Sequence, residues 1–400
     1  MARTALHLIA NLDRGGAQEV VRTLVRQQPA TDWRPLVATF RDGPLRGEIE
    51  AAGVDVRLLA GRTHSVLSPV RSFAELRAIR GALRALISAE DVSVIQTHLL
   101  GSLDFLALAS RRDGAPAVLW TVHNALLDLR PDQLPASQRR LLGIKRVGFR
   151  LAYRSGGRMA DGFVAVSDDV ADAVRATYRP PRDRLFVIPN GVDLDRYRGP
   201  AEREAVRHEL GLDAGARLII VVAKLYAQKG HAALLDALSA TSPQPQDAVL
   251  LLGEGPEREH LERMVRDRGL SMVRFLGNRP DVPRLLAASD LFVLPSLWEG
   301  LPMALLEGMA AGLPVVATDV AGSRQVVRNG RDGILVPPGD AAALASAMAA
   351  VLANDEERAR LGRAARDRVE QEFSAVRQAE RHAEAYEAVL ARRARSAQRS

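Results

Sequence analysis

The chain has 400 residues, of which 47% are hydrophobic, with a formal net charge of +7 and no cysteine. That length predicts two domains and the apolar content argues against disorder, while the missing thiols exclude disulfides and thiolate metal sites. No run approaches the roughly eighteen apolar residues of a membrane span, and the N-terminus lacks a signal-peptide pattern, so a soluble, cytoplasmic chain is expected.

Short apolar runs alternate with longer amphipathic segments. "TALHLIA" (4–10) reads as a strand, "NLDRGG" as a turn and "AQEVVRTLVRQQ" as a helix. Further strands are expected at 34–40, 54–60, 92–98, 117–123 and 162–167, with helix-period segments such as "SFAELRAIRGALRALISA" between them. A strand and a turn on Asn190-Gly191 close this half at 184–197. After a polar stretch at 198–216 the alternation restarts, with strands at 217–225, 248–255, 273–279, 290–296 and 313–319 and a helix at 231–240. "GILVPPGD" (333–340) ends the sheet pattern, and helices fill the rest. Repeated strand–helix–strand order predicts an α/β chain of two doubly wound, Rossmann-like domains joined near 195–200. Ligands of such sheets bind at the carboxyl ends of the strands, and one shared by two domains sits in a central cleft.

The surplus of positive charge lies in the first 190 residues and is densest at 130–158. Such a stretch suits anionic lipid headgroups or a phosphorylated substrate, and equally a solvated arginine-rich helix. No zinc-finger, RNP or basic-zipper pattern accompanies it, so nucleic acid is not an expected partner.

Each half opens on a distinctive strand-to-helix turn. Gly15 and Gly16 let a backbone approach a ligand and leave the helix N–H groups to an anion, although they also serve as a plain turn. The dinucleotide spacing G-x-G-x-x-G is absent, which weakens a dehydrogenase reading. In "AKLYAQKGH", Lys224 and Lys229 lie five apart on one loop, in a chain whose basic residues are almost all arginine. They read as a diphosphate site or as two surface cations. In "SLWEGLPMALLEGMAAG", Pro302 suits the first position of a helix. Glu299, Gly300 and Leu301 then lie at the helix N-terminus, where amides and dipole favour phosphate, and Glu307 lies about one and a half turns in. A nucleoside diphosphate sugar fits this spacing, with ribose on Glu307, phosphates over the lysines and amides, and the hexose near Glu299. Glutamates also favour first helical turns without any ligand.

These motifs, in the order "DRGGAQ", "AKLYAQKG", "LLGEGPE", "SLWEGLPMALLEGMAAGLPVVATD" and "VAGSRQVV", resemble those of the retaining GT-B glycosyltransferases of family 4, from residue 1 to about 375. The resemblance implies an N-terminal acceptor domain at 1–195, a nucleotide-sugar domain at 200–375 and a terminal helix at 376–400 that crosses back over the first domain. It implies that Lys224 and Lys229 bind the donor diphosphate, that Glu307 holds the ribose and that Glu299 faces the transferred sugar. Gly300, Leu301, Pro302 and Met303 would line the sugar and phosphate, together with the Gly253-Glu254 turn. Asn278 would lie in the segment that reads the nucleobase, and Gly15 and Gly16 would approach the donor phosphate. His123, in "TVHN", matches a histidine beside the donor sugar, although alone it reads as packing or a cap. His98 and Asn124 are further acceptor-side candidates, and loops 61–72 and 124–142 would shape the acceptor pocket.

Two positions depart from the family pattern. Lys224 stands where arginine is usual, which keeps the charge but loses the planar fork. Gln325 stands where a glutamate is common, so a sugar contact there would lack its charge. The implied chemistry is a retaining, metal-independent hexosyl transfer with UDP favoured, no cofactor and no Asp-x-Asp metal cluster. Glu299, His123 and Lys224 are the catalytic candidates. A GT-B epimerase and a non-catalytic nucleotide-sugar binder are the alternatives. Peripheral contact with an anionic membrane is an expectation of the basic N-terminal half, while acceptor and oligomeric state stay open.

Overall fold

The computed structural model describes residues 2–59, 73–98, 102–111, 115–123, 151–197, 203–213, 215–240 and 247–398. The chain divides into two compact units, one of residues 1–191 with 375–400 and one of residues 192–374. The first boundary falls a little before the expected 195, because Val192 N–H bonds the Phe373 carbonyl at 2.8 Å and bridges to Ser374, tying 192 onward to the second unit.

The first unit is built on seven parallel strands: β1 (Arg3–Asn11), β2 (Trp33–Arg41), β3 (Asp55–Leu58), β4 (Val92–His98), β5 (Ala117–Val122), β6 (Gly162–Ala165) and β7 (Leu185–Val187), in the order 3-2-1-4-5-6-7. The second has six: β8 (Leu218–Val222), β9 (Ala248–Leu252), β10 (Val273–Gly277), β11 (Leu291–Leu294), β12 (Val315–Thr318) and β13 (Ile334–Val336), in the order 10-9-8-11-12-13. Every pairing is parallel. The central strands read as unbroken apolar runs because helices cover both faces; β5, β6, β9, β11 and β12 are buried throughout. In each sheet the order reverses once, between β1 and β4 and between β8 and β11. Doubly wound sheets leave a crevice beyond the carboxyl ends of the strands at such a point.

The polar stretch at 198–216, for which no element was expected, contains the helix Arg203–Glu209. Its sequence has little apolar periodicity, and arginines dock it instead. Arg203 donates to the Ser289 carbonyl at 2.8 Å, and Arg207, itself buried, donates to the Ala288 carbonyl at 3.1 Å and Asp290 at 3.2 Å. Of the basic stretch 130–158, residues 130–150 lie outside the described residues, as do 61–72, 124–142 and Asn124.

The helix Ala375–Ala397 belongs to the first unit. Its Ala385, Tyr386 and Val389 pack with Ala5, Trp33, Val94, Leu119 and Val164, and the Tyr386 ring meets Trp33 edge-on at 4.9 Å. Burying each large apolar side chain contributes about 1.5–3 kcal/mol. His382 on this helix and His7 on β1 are also buried; desolvation lowers His7 to about 3 and His382 to about 4. In the second unit desolvation, assisted by Lys229, lowers the buried His231 to about 4. The folded chain therefore holds these imidazoles neutral at a pH where the unfolded chain protonates them. Below about pH 6.5 the unfolded state binds more protons, and stability falls by about 1.4 kcal/mol per pH unit for each group until its folded value is reached. Urea unfolding is expected to show a clearly lower midpoint at pH 5 than at pH 7; equal midpoints would contradict neutral burial of these rings.

Candidate active site

The second unit brings four loops together at the carboxyl ends of its strands. The loop after β8 carries Lys224, which is exposed, and Lys229, in a short 3-10 turn at Ala227–Lys229. Gly230 ends that turn at φ +67°, and a Cβ there would lie 1.9 Å from the Pro295 carbonyl oxygen. Only glycine permits this approach, which sets the lysine loop against the loop after β11. Gln228 seals the contact: its side chain donates to the Trp298 carbonyl at 2.8 Å, and its carbonyl accepts from Leu297 N–H at 2.7 Å.

Glu299 stands in this junction. Lys229 Nζ lies 2.5 Å from Glu299 Oε1, which also accepts from the Ser296 hydroxyl at 2.7 Å. The carboxylate side chain is 7% exposed and the ammonium side chain 22%, so the pair is partly desolvated and stronger than a surface bridge. From the other side Thr318, ending β12, donates to the Ser296 carbonyl, and Gly322 packs so closely that a Cβ would meet the Gly300 carbonyl oxygen at 2.6 Å.

The helix that follows spans Met303–Ala310, and Pro302 is its N-cap rather than its first residue, with φ −75° and ψ 114°. The extended ψ places Pro302 just outside the helix, and its carbonyl accepts from Leu305 and Leu306. The amides of Met303 and Ala304, in the first turn, have no carbonyl to accept from them within the helix. Glu307 lies half-buried on this helix. Gly308 presses the helix onto β11, since a Cβ there would meet the Phe292 ring at 2.6 Å. The Gly253-Glu254 turn follows β9 and lies against the lysine loop. Gly253 adopts φ +134°, a Cβ there would meet the Ala223 carbonyl oxygen at 2.2 Å, and the Glu254 carbonyl accepts from Leu225 N–H at 3.1 Å. The Glu254 carboxylate points to Arg258 at 2.8 Å, and Asn278 is exposed beyond β10. Gln325 lies on the short helix Ala321–Val326.

In the first unit Gly15 caps the helix Gly16–Gln27 in extended conformation, and a Cβ at Gly16 would meet nothing within 4 Å. His98 ends β4 and His123 follows β5, with ring centroids 5.8 Å apart. Burial lowers His98 well below the ordinary imidazole value and His123 to about 4, each assisted by neighbouring histidines, so both are neutral near pH 7. The structure thus joins Lys229 and Glu299 directly and holds Gly300, the Gly253-Glu254 turn and Lys224 on contacting loops. It keeps Gly15, Gly16, His98 and His123 within the first unit.

Ser296, Gln228 and Thr318 support Glu299 and went unnoticed in the sequence. Ser296 lies three residues before Glu299, a local signal; Gln228 and Thr318 reach this loop only through tertiary contacts. Among the described residues no group of three or more His, Asp or Glu side chains is placed to hold a metal ion.

Residues 14–196 match the family model described as Glycosyltransferase Family 4, and residues 202–368 that described as Glycosyl transferases group 1. Alpha-maltose-1-phosphate synthase of Mycolicibacterium smegmatis is 30% identical over 339 residues, covering 80% of this chain and 84% of that protein. UDP-Gal:alpha-D-GlcNAc-diphosphoundecaprenol alpha-1,3-galactosyltransferase of Escherichia coli is 27% identical over 270 residues, covering 65% of this chain and 66% of that protein. Among solved structures, Anabaena Alr3699/HepE in complex with UDP and glucose superposes with a TM-score of 0.78 at 24% identity, covering 95% of this chain and 98% of that one, a likeness of fold. Matched in both halves and aligned with a relative over most of its length, the chain belongs to the glycosyl transferases group 1 family and has the GT-B fold.

Proposed function

We propose that the chain moves a hexose or N-acetylhexosamine from a nucleoside diphosphate sugar, with UDP favoured, to a hydroxyl of a small-molecule, glycan or lipid-linked acceptor, with retained anomeric configuration. The observation that carries this reading is the Lys229–Glu299 pair at 2.5 Å, held at the loop that leads into the Met303–Ala310 helix. A cation and unbonded helix amides suit the diphosphate, and a carboxylate beside them suits the sugar. Glu307 takes the ribose hydroxyls, the segment at Asn278 the base, and Lys224 the outer phosphate. Family membership and two similar proteins support a sugar-nucleotide donor: the Escherichia coli protein is named for UDP-Gal, and the Anabaena protein holds UDP and glucose.

In the proposed reaction the bond from the anomeric carbon to the diphosphate oxygen breaks, and a bond to the acceptor oxygen forms on the same face. The acceptor's proton passes to the departing phosphate oxygen. The protein positions the reactants and stabilises separating charges: Glu299 the positive carbon, the lysines and helix amides the negative leaving group. His123 contacts the transferred sugar, and no metal takes part.

Thermal unfolding with UDP, GDP, ADP or TDP, with and without EDTA, tests the donor. UDP is expected to raise the midpoint whether or not EDTA is present. A shift only with another nucleotide would change the donor, and a shift abolished by EDTA would refute metal independence. Glu299→Gln keeps the shape and removes the charge; it is expected to lower turnover by about a hundredfold or more while UDP affinity changes little. Equal losses in turnover and affinity would remove Glu299 from the chemistry. Sugar nucleotide isomerised without any acceptor would favour the epimerase instead.

Peripheral membrane contact of the first unit is also proposed, from its positive surplus and from Leu151 and Met159, 62% and 60% exposed on a helical segment with Arg154 and Arg158. Among the described residues no helix is long and apolar enough to cross a membrane. Co-sedimentation with phosphatidylglycerol vesicles is expected at low salt and lost at high salt. No pelleting at low salt would rule it out.

A further inference from the structure

The Glu299 carboxylate is held by one oxygen. Lys229 Nζ at 2.5 Å and the Ser296 hydroxyl at 2.7 Å both meet Oε1, and no described residue donates to Oε2. The two donors differ in what else they can reach. An ammonium carries three N–H donors, and the Lys229 side chain is 22% exposed, so an anion can draw it. A hydroxyl has one hydrogen, and Ser296 is wholly buried. Its backbone is pinned on both sides. The Ser296 carbonyl accepts from the Thr318 hydroxyl at the end of β12, and the next amide, Leu297 N–H, donates to the Gln228 carbonyl at 2.7 Å. Glu299 Oε1 is the one acceptor of the Ser296 hydroxyl among the described residues.

Lys229 and Ser296 also act on each other through that oxygen. Their hydrogens carry like charge and face the same atom, so each bond is weaker while the other is made. Drawing the ammonium toward a phosphate therefore strengthens the hydroxyl bond. Without the hydroxyl, the same movement strands a carboxylate that is 7% exposed and has lost its remaining donor, which is costly.

We propose that Ser296 is a positioning residue for Glu299: its hydroxyl holds Oε1 while a diphosphate draws Lys229 away, and leaves Oε2 free of protein donors. The assignment rests on the donor reading proposed above. It adds that the resting ion pair opens because a second donor, out of a ligand's reach, stays behind. A serine that merely shapes the loop would act on nucleotide binding whatever stands at position 299.

Calorimetric titration of the full-length protein with UDP separates the two roles through a double-variant cycle. Ser296→Ala is expected to weaken UDP binding about three- to tenfold. In a Glu299→Gln background the same substitution is expected to change UDP affinity by less than about twofold, since a neutral amide leaves no stranded charge. An undiminished loss in that background, or no loss with Ser296→Ala alone, would refute the proposal. Should Ser296→Ala fail to fold, Ser296→Cys, of similar shape and a weaker donor, carries the same outcomes. A crystal structure with UDP gives the geometry directly: Ser296 Oγ is expected still to donate to Glu299 Oε1, with Lys229 Nζ moved to the phosphate. A hydroxyl turned away from Glu299, or a lysine that does not approach the phosphate, would overturn the assignment. UDP that fails to bind the unaltered protein would instead sink the donor reading itself, and this assignment with it.

Discussion

Gly230 has no room for a side chain, because the Pro295 carbonyl oxygen lies 1.9 Å from where a Cβ would be. That backbone contact brings the loop after β8 onto the loop after β11, strands that are neighbours where the sheet order reverses. Lys229 and Glu299, 70 residues apart, meet only because the two loops touch. Gly253 and Gly322 perform the same service on either side. At each of these places a Cβ would overlap a carbonyl oxygen, so glycine is a packing requirement there.

The ion pair has a chemical consequence. Lys229 alone in this site would be a free cation, and Glu299 alone a carboxylate with one hydroxyl donor. Paired, they cancel much of each other's field while the site is empty. In the proposed reaction an arriving phosphate would compete for a lysine already positioned and partly desolvated, and the carboxylate would keep Ser296 when the lysine is shared. Lys224, five residues earlier on the same loop, is exposed and takes no part in this pair.

The first unit follows a different logic. Its sheet is sealed by a helix from the far end of the chain, and that helix contributes both apolar packing and the hydroxyl at the head of a buried polar chain. Tyr386 and Gln28 are 358 residues apart in sequence, and His7 and His98 are 91 apart. Spacing rules operate over a few residues, so nothing local could announce such a network. His98 and His123 were visible as histidines at strand ends. Their shared neutrality, and their connection to the terminal helix, were not. The Arg203–Glu209 helix was missed for a related reason: arginines hold it to the carbonyls of Ala288 and Ser289, some 80 residues further along the same chain, so it needs no apolar stripe.

By itself the sequence determined the alternation of strand and helix, since strands covered on both faces must be apolar almost throughout. It also determined the glycine-bearing turns and the spacing of Glu299 from Glu307, because backbone conformation and helical period act over short distances. Tertiary structure alone decided that Pro302 caps its helix from outside, that Lys229 and Ser296 hold Glu299, and that a tyrosine near the C-terminus reaches a histidine on β1 through one glutamine. Those contacts arise from strand order and loop approach. Each depends on which distant segments the packed sheets bring within 3 Å or so of one another, a quantity that no short window of residues contains.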